Sequence, residues 1–305
     1  MPINIPNSLP AKQTLEQENV YLITDDRAAH QDIRPLRIMI LNLMPKKIET
    51  ETQLLRLLGN TPLQIDIDLL QTATHVSKNT SSEHLLKFYR TFDEVKEERY
   101  DGLIITGAPV EMMPFEEVDY WGELEQIFEW SKTHVYSTFH ICWGAQAGVY
   151  YHYGIEKRIL PQKMFGIFPH SLTNANHLLM RGFDEIFQVP HSRHTGIDEK
   201  ALYGHPELEV LSYSDISGIN IAISHDCRRV FVFGHFEYDR RTLANEYFRD
   251  IEKGMDNVPF PYHYFPNDDP AMRPPFIWRG HANLLYKNWL NIVYQQTPYD
   301  LNDLK

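Results

Sequence analysis

Cysteine is scarce in this chain: Cys142 and Cys227 are the only two in 305 residues, so no disulfide framework can organise it. The first ten residues, Met1 to Pro10, lack a basic start followed by an apolar stretch, so no secretion signal is expected. Both features point to a reducing cytoplasm. No apolar run approaches the roughly 18 residues that a membrane span needs. Basic charge is also short: 29 Lys and Arg against 41 Asp and Glu give a net charge of −12, which argues against sustained nucleic-acid binding. The 15 histidines show no paired-ligand spacing such as His-Glu-x-x-His, so no metal is expected. Neither standard Gly-rich phosphate loop occurs, and there is no internal repeat or low-complexity tract.

What is present is ample apolar material, 43% of residues, enough for a large core. Residues 1–35, with Pro2, Pro6, Pro10 and Pro35, read as an N-terminal extended arm. Leu36 to Leu43 reads as a buried strand and Ile48 to Leu58 as its helix, with Gly59-Asn60 as C-cap. Gln64 to Leu69 alternates as a second strand, and Ser77 to Ser82 is a polar loop before helix-like sequence at His84–Tyr89. A third buried strand runs from Tyr100 to a glycine turn at Gly107, and Glu117 to Thr133 has apolar residues at helical spacing. A further strand leads into Cys142. This order predicts an α/β fold: a mostly parallel sheet flanked by helices, with sites at the C-terminal ends of its strands.

The second half changes character. Glu209–Tyr213, Asn220–Ser224 and Arg229–His235 read as short, partly antiparallel strands. Arg240–Met255 and His281–Gln296 read as helices. Residues 256–280, rich in proline and aromatics, read as an ordered loop that wraps the domain or lines a site. Residues 36–296 then form a single α/β domain, and 297–305 a C-terminal tail.

The chemistry centres on Tyr136-Ser-Thr-Phe-His-Ile-Cys142-Trp-Gly-Ala-Gln-Ala-Gly148. An apolar run ends at the cysteine and small residues suited to a helix start follow. That is the sequence form of a nucleophile elbow, in which a sharp turn lifts the sulfur above the sheet. A thiol nucleophile needs a base, and the base an orienting acceptor. His235-Phe-Glu237 closes an apolar strand, and side chains two apart on a strand point the same way. A triad of Cys142, His235 and Glu237 follows, defined by geometry rather than chain order. An isolated cysteine or His-x-Glu pair is more often structural; the two motifs gain weight together, each at the end of a buried strand. Cys227 lies in a polar turn and is read as non-catalytic. Lys163, Ser192 and Arg249 sit in segments from which a cation or hydroxyl could hold a carboxylate, although spacing alone leaves each a solvated surface group.

Together with Asn42-Leu-Met-Pro-Lys-Lys47, Thr106-Gly-Ala-Pro109, Lys163-Met-Phe-Gly166, Pro190-His-Ser-Arg193 and Gly234-His-Phe-Glu-Tyr238, these motifs make the chain resemble the homoserine O-acyltransferases over nearly its whole length. That family shares the class I glutamine amidotransferase-like (flavodoxin-like) fold. The amidotransferase elbow usually has glycine two residues before the cysteine, where this chain has His140. The resemblance implies that Cys142 carries the acyl group as a thioester, that His235 is the general base, and that Glu237 orients it. It also implies substrate binding by Lys163, Ser192 and Arg249, and an oxyanion site from the backbone N–H groups of Trp143 and Ala108. The co-substrate is an acyl-CoA with no bound cofactor, the acceptor is L-homoserine, and the product enters methionine biosynthesis. A homodimer is expected from the same resemblance. Glutamate at the position of Glu111 resembles the acetyl-CoA users and glycine the succinyl-CoA users; a glutamate there would fill space and repel the succinyl carboxylate. Acetyl-CoA is therefore the expected donor and succinyl-CoA the alternative. A glutamine amidotransferase or other thiol hydrolase, and a sensor on the same scaffold, are the rival readings.

Overall fold

A computed structural model describes residues 3–4, 6, 8–17, 22–23, 34–59, 61–75, 80–255 and 258–304. Asn60, Ser77–Asn79 and much of the segment read as an arm lie outside the described residues.

Among the described residues, twelve strands form one sheet. Its centre is parallel, in the order β4 (Ile65–Leu70), β3 (Leu36–Leu41), β6 (Tyr100–Ile105), β7 (Val135–Ile141) and β12 (Arg229–Val232). β11 (Gly218–Ser224), β10 (Leu208–Ser214), β8 (Lys157–Leu172) and β9 (Ile186–Ile197) then continue it antiparallel. β5 (Tyr89–Arg90) pairs with β4. At the other edge, β1 (Ile3–Asn4) pairs parallel with β4 and with β2 (Leu22–Ile23). The segment read as an extended arm is therefore partly folded. It also holds helix α1 (Ala11–Gln17), whose Ala11 and Leu15 enter the main core with Leu9. The proline spacing concealed this helix, because the prolines fall outside its seven residues.

The parallel strands alternate as a sheet covered on both faces requires. Ile38, Ile40 and Ile104 face one core, shared with α2 (Lys47–Leu58) and α9 (Arg279–Gln296). Met39, Leu41, Leu103 and Ile105 face the other, shared with α5 (Trp121–His134) and the first turns of α6 (Trp143–Tyr153). Helix α9 lies close because β6 has Gly102: a Cβ there would stand 2.8 Å from the Trp289 ring. Trp289 is fully buried and donates from Nε1 to Ser137 Oγ at 3.0 Å. The shorter helices are α3 (Ser82–Phe88), α4 (Phe92–Val95), α7 (Glu199–Tyr203) and α8 (Thr242–Glu252). No helix among the described residues is long and apolar enough to cross a membrane.

Two further differences from the sequence reading bear on the site. The long β8–β9 hairpin was not anticipated, because Pro161, Gly166, Pro169, Pro190 and Gly196 interrupt it as a turn would. Within the 256–280 stretch, Tyr262 lies along β8. Tyr262 N–H donates to Phe165 O at 2.9 Å, and Ile167 N–H to Tyr262 O at 2.8 Å. Gly166 permits this approach at φ 136°, since a Cβ would lie 2.3 Å from Tyr262 backbone atoms.

The core also encloses several histidines. Burial pushes His140 down to about 3, His170 down to about 3 and His152 down to about 2, and it takes His191 well below its usual value. All four are neutral when folded, whereas an unfolded histidine takes up a proton near pH 6.5. Protons therefore favour the unfolded chain as pH falls below about 6.5, and each such histidine withdraws up to about 1.4 kcal/mol of stability per pH unit. Urea titrations from pH 6.5 to 5 should show stability falling steeply as pH drops. A flat profile down to pH 5 would contradict the neutral-histidine core.

Candidate active site

Cys142 is the single residue between β7 and α6, with φ 51° and ψ −113°, a sparsely populated conformation for a side chain-bearing residue. Its N–H donates to Val232 O at 2.7 Å, tying the turn to β12. Gly144 lets the helix start press on the end of β6: a Cβ there would lie 2.6 Å from Thr106 O and 2.8 Å from Ile105 O. Gly107 also lies close, with a built Cβ 3.4 Å from Cys142 Cβ and 3.8 Å from His235 Cε1. Ala108 follows it at the rim. Trp143 is the first residue of α6, where a backbone N–H has no partner inside the helix.

His235 Nδ1 and Glu237 Oε1 are 2.6 Å apart and both side chains are buried. The pair forms for a different reason from the one expected. β12 ends at Val232, so His235 and Glu237 lie in the turn beyond it. That turn is held by His235 N–H donating to Pro190 O at 2.8 Å and by Tyr238, whose ring stacks on His235 at 4.1 Å. With Nδ1 committed to Glu237, Nε2 is left uncommitted, and the Cys142 sulfur lies near enough to favour the charged imidazole. Burial alone would lower the imidazole's pKa; the Cys142 sulfur and Glu237 carboxylate outweigh it and hold His235 well above its usual value. The geometry is thus a cysteine–histidine–glutamate line whose central group favours the imidazolium form.

Lys163, Ser192 and Arg249 converge on one place, through two acids that the sequence reading missed. Glu246 Oε1 takes Lys163 Nζ at 2.5 Å and Ser192 Oγ at 2.7 Å. Asp250, one turn further along α8, takes Arg249 Nε at 2.7 Å and lies 3.8 Å from Lys163 Nζ. Two cations, two carboxylates and a hydroxyl suit a ligand carrying an ammonium and a carboxylate together. The i, i+4 spacing of Glu246 and Asp250 was the available signal.

Glu111 is not a solvated loop residue. Its Oε2 accepts from His194 N–H at 2.7 Å, Thr195 N–H at 3.2 Å and Thr195 Oγ1 at 3.1 Å. Beside it Arg193 is buried without a carboxylate contact, donating to Thr195 O at 2.7 Å, Ser217 O at 2.5 Å and His191 Nδ1 at 3.4 Å. The acceptor role of His191 Nδ1 fixes its tautomer. Its Nε2 donates to His170 Nε2 at 3.2 Å, and His170 Nδ1 donates to Phe168 O at 3.0 Å. Burial lowers the Arg193 pKa, and the nearby Cys142, Glu111 and Glu199 oppose that shift. An uncompensated buried guanidinium is costly, so a cation here favours negative charge in the site. Among the described residues no cluster of three His, Cys, Asp or Glu side chains could hold a metal ion. Cys227 lies apart, half-buried near His177.

A family model described as homoserine O-succinyltransferase matches residues 2–299. A homoserine O-acetyltransferase from Acetivibrio thermocellus is 60% identical over 100% of both chains. Another from Clostridium novyi is 59% identical over 98% of this chain and 99% of its own. Among solved structures, a glutamine amidotransferase from Thermotoga maritima matches with a TM-score of 0.57 over 87% of this chain and 100% of its own, at 13% identity. A glutamine amidotransferase from Methylobacillus flagellatus matches with a TM-score of 0.54 over 85% of this chain and 95% of its own, at 10% identity. These two likenesses bear on the fold, which is class I glutamine amidotransferase-like.

Gly144→Ala should separate α6 from the end of β6, because both obstructing atoms are backbone carbonyls. We expect a loss of about 1–3 kcal/mol in denaturant unfolding, with slower alkylation of Cys142 by iodoacetamide. Unchanged stability and alkylation would show that the close approach is not needed.

Proposed function

The chain belongs to the homoserine O-succinyltransferase family, and from that premise we propose that it transfers an acetyl group from acetyl-CoA to the hydroxyl of L-homoserine through a thioester on Cys142. The observation that carries this reading is the buried line from Cys142 through His235 to Glu237, with the Glu246–Asp250 cluster beside it. Homoserine has the ammonium and carboxylate that such a cluster matches. Relatives of the chain at 56–60% identity are named homoserine O-acetyltransferases.

The steps follow from the protonation state. His235 holds a proton beside the Cys142 sulfur, which reacts in its thiolate form, with the buried Arg193 nearby. The thiolate attacks the acetyl carbonyl, and the N–H groups of Trp143 and Ala108 receive the oxyanion. Collapse expels CoA thiolate, which takes the proton from His235. Neutral His235 then removes the hydroxyl proton of homoserine as its oxygen attacks the thioester. The second collapse returns Cys142 as thiolate and leaves His235 protonated. Glu237 stabilises the imidazolium and holds its ring in both halves. Lys163 and Arg249 take the homoserine carboxylate, Glu246 its ammonium, and Ser192 orients the pair.

Glu111 supports acetyl over succinyl by a more specific route than repulsion alone. Its carboxylate already occupies the donors of His194 and Thr195 beside Arg193. A succinyl carboxylate entering this corner would meet a like charge and find the donors taken. Glycine at 111 would free those donors for it.

Two outcomes follow. Cys142→Ala should lose acetyl transfer while keeping its unfolding midpoint, and initial rates of the unaltered protein should give parallel double-reciprocal lines. Normal turnover by the alanine variant would sink the assignment. Glu111→Gly should raise kcat/KM for succinyl-CoA by about tenfold or more, roughly 1.4 kcal/mol. No gain would remove the role given to Glu111.

A further inference from the structure

The proposed reaction needs a seat for the nucleotide end of the donor, and one groove has the charge for it. The chain is acidic overall, yet five arginines line this groove of about 1260 Å³: Arg56, Arg240, Arg241, Arg273 and Arg279. It lies between α2, residues 236–241, α8, the proline-rich stretch at 270–276 and the start of α9. Its acids are Glu49, Glu237 and Asp239, and each is already engaged. Asp239 pairs with Arg56 at 2.6 Å, Glu49 with Lys46 at 3.7 Å, and Glu237 with His235 at 2.6 Å. Arg240, Arg241, Arg273 and Arg279 make no ion pair among the described residues. Two of them flank an aromatic ring instead: Arg240 and Arg279 lie over Phe276 at 5.8 and 6.0 Å.

We propose that this groove holds the phosphorylated nucleotide end of the acyl-CoA donor, an assignment that rests on the acyl-CoA reading above. Guanidinium forks match phosphate oxygens, and four uncompensated cations in one concavity focus positive potential on an otherwise negative molecule. The donor carries a diphosphate and a ribose phosphate, so it can use several of them at once. The planar guanidinium groups of Arg240 and Arg279 beside Phe276 offer surfaces against which a purine can stack. Glu237 borders the groove at one end and bonds His235.

The test compares two donors on the intact protein: acetyl-CoA, and S-acetyl-N-acetylcysteamine, which has the thioester but no nucleotide. In an Arg273→Ala/Arg279→Ala variant, KM for acetyl-CoA should rise about tenfold or more with kcat nearly unchanged. The truncated donor should react as it does with the unaltered protein. KM for acetyl-CoA should also climb with salt, and this dependence should weaken in the variant. Equal effects on both donors, or no effect on either, would overturn the groove assignment while leaving the reaction intact. Failure of the unaltered protein to use either donor would instead overturn the proposed function.

Discussion

The arrangement depends on the backbone at Cys142. One residue reverses the chain from β7 into α6 at φ 51°, a conformation that costs on the order of 1–3 kcal/mol without support from its surroundings. The support is specific: the Cys142 N–H is anchored on Val232 O, and Gly144 permits the helix to rest on the carbonyls of Ile105 and Thr106. β6, β7 and β12 are neighbouring parallel strands. Their C-terminal ends therefore deliver Gly107–Ala108, Cys142–Trp143 and His235–Glu237 to the same edge. Replacing the turn by a regular connection would leave these groups pointing away from one another.

Charge is the second constraint, and the histidines divide by their partners. His140, His152, His170 and His191 meet burial without a nearby carboxylate contact and stay neutral; His235 meets equal burial, but between a sulfur and a carboxylate, and is held protonated. The neutral pair His191–His170 has a structural use, because its fixed tautomers present an acceptor to Arg193. Arg193 then sits buried within range of Cys142 and Glu111 with no carboxylate of its own. A site built this way favours developing negative charge at the sulfur and the carbonyl oxygen, as two-step acyl transfer through cysteine requires.

The central sheet was legible because its strands are short, apolar or alternating segments bounded by turn residues, and the elbow because an apolar run stops at a cysteine followed by small residues. The β8–β9 hairpin was not, since its prolines, glycines and the register shift between Ile159 and Met164 imitate turns. Lys163, Ser192 and Arg249 meet at Glu246, and His235 meets Glu237, yet strand alternation does not explain the latter contact; a turn anchored to Pro190 O does. Glu246 and Asp250 escaped because acids four apart are common on solvated helix faces, so their spacing alone does not mark a site. Arg193 was visible only as part of the Pro190-His-Ser-Arg193 motif, because burial of a guanidinium depends on residues from several segments. The first helix was masked by prolines on either side of it.

The most direct test is to mix the protein rapidly with acetyl-CoA in the absence of homoserine, quench it in acid, and examine the peptide containing Cys142 by mass spectrometry. The account predicts one acetyl group on Cys142, formed at least as fast as turnover and discharged to O-acetylhomoserine when homoserine is added. Acetyl transfer that proceeds only when both substrates are present, with Cys142 never modified, would contradict it.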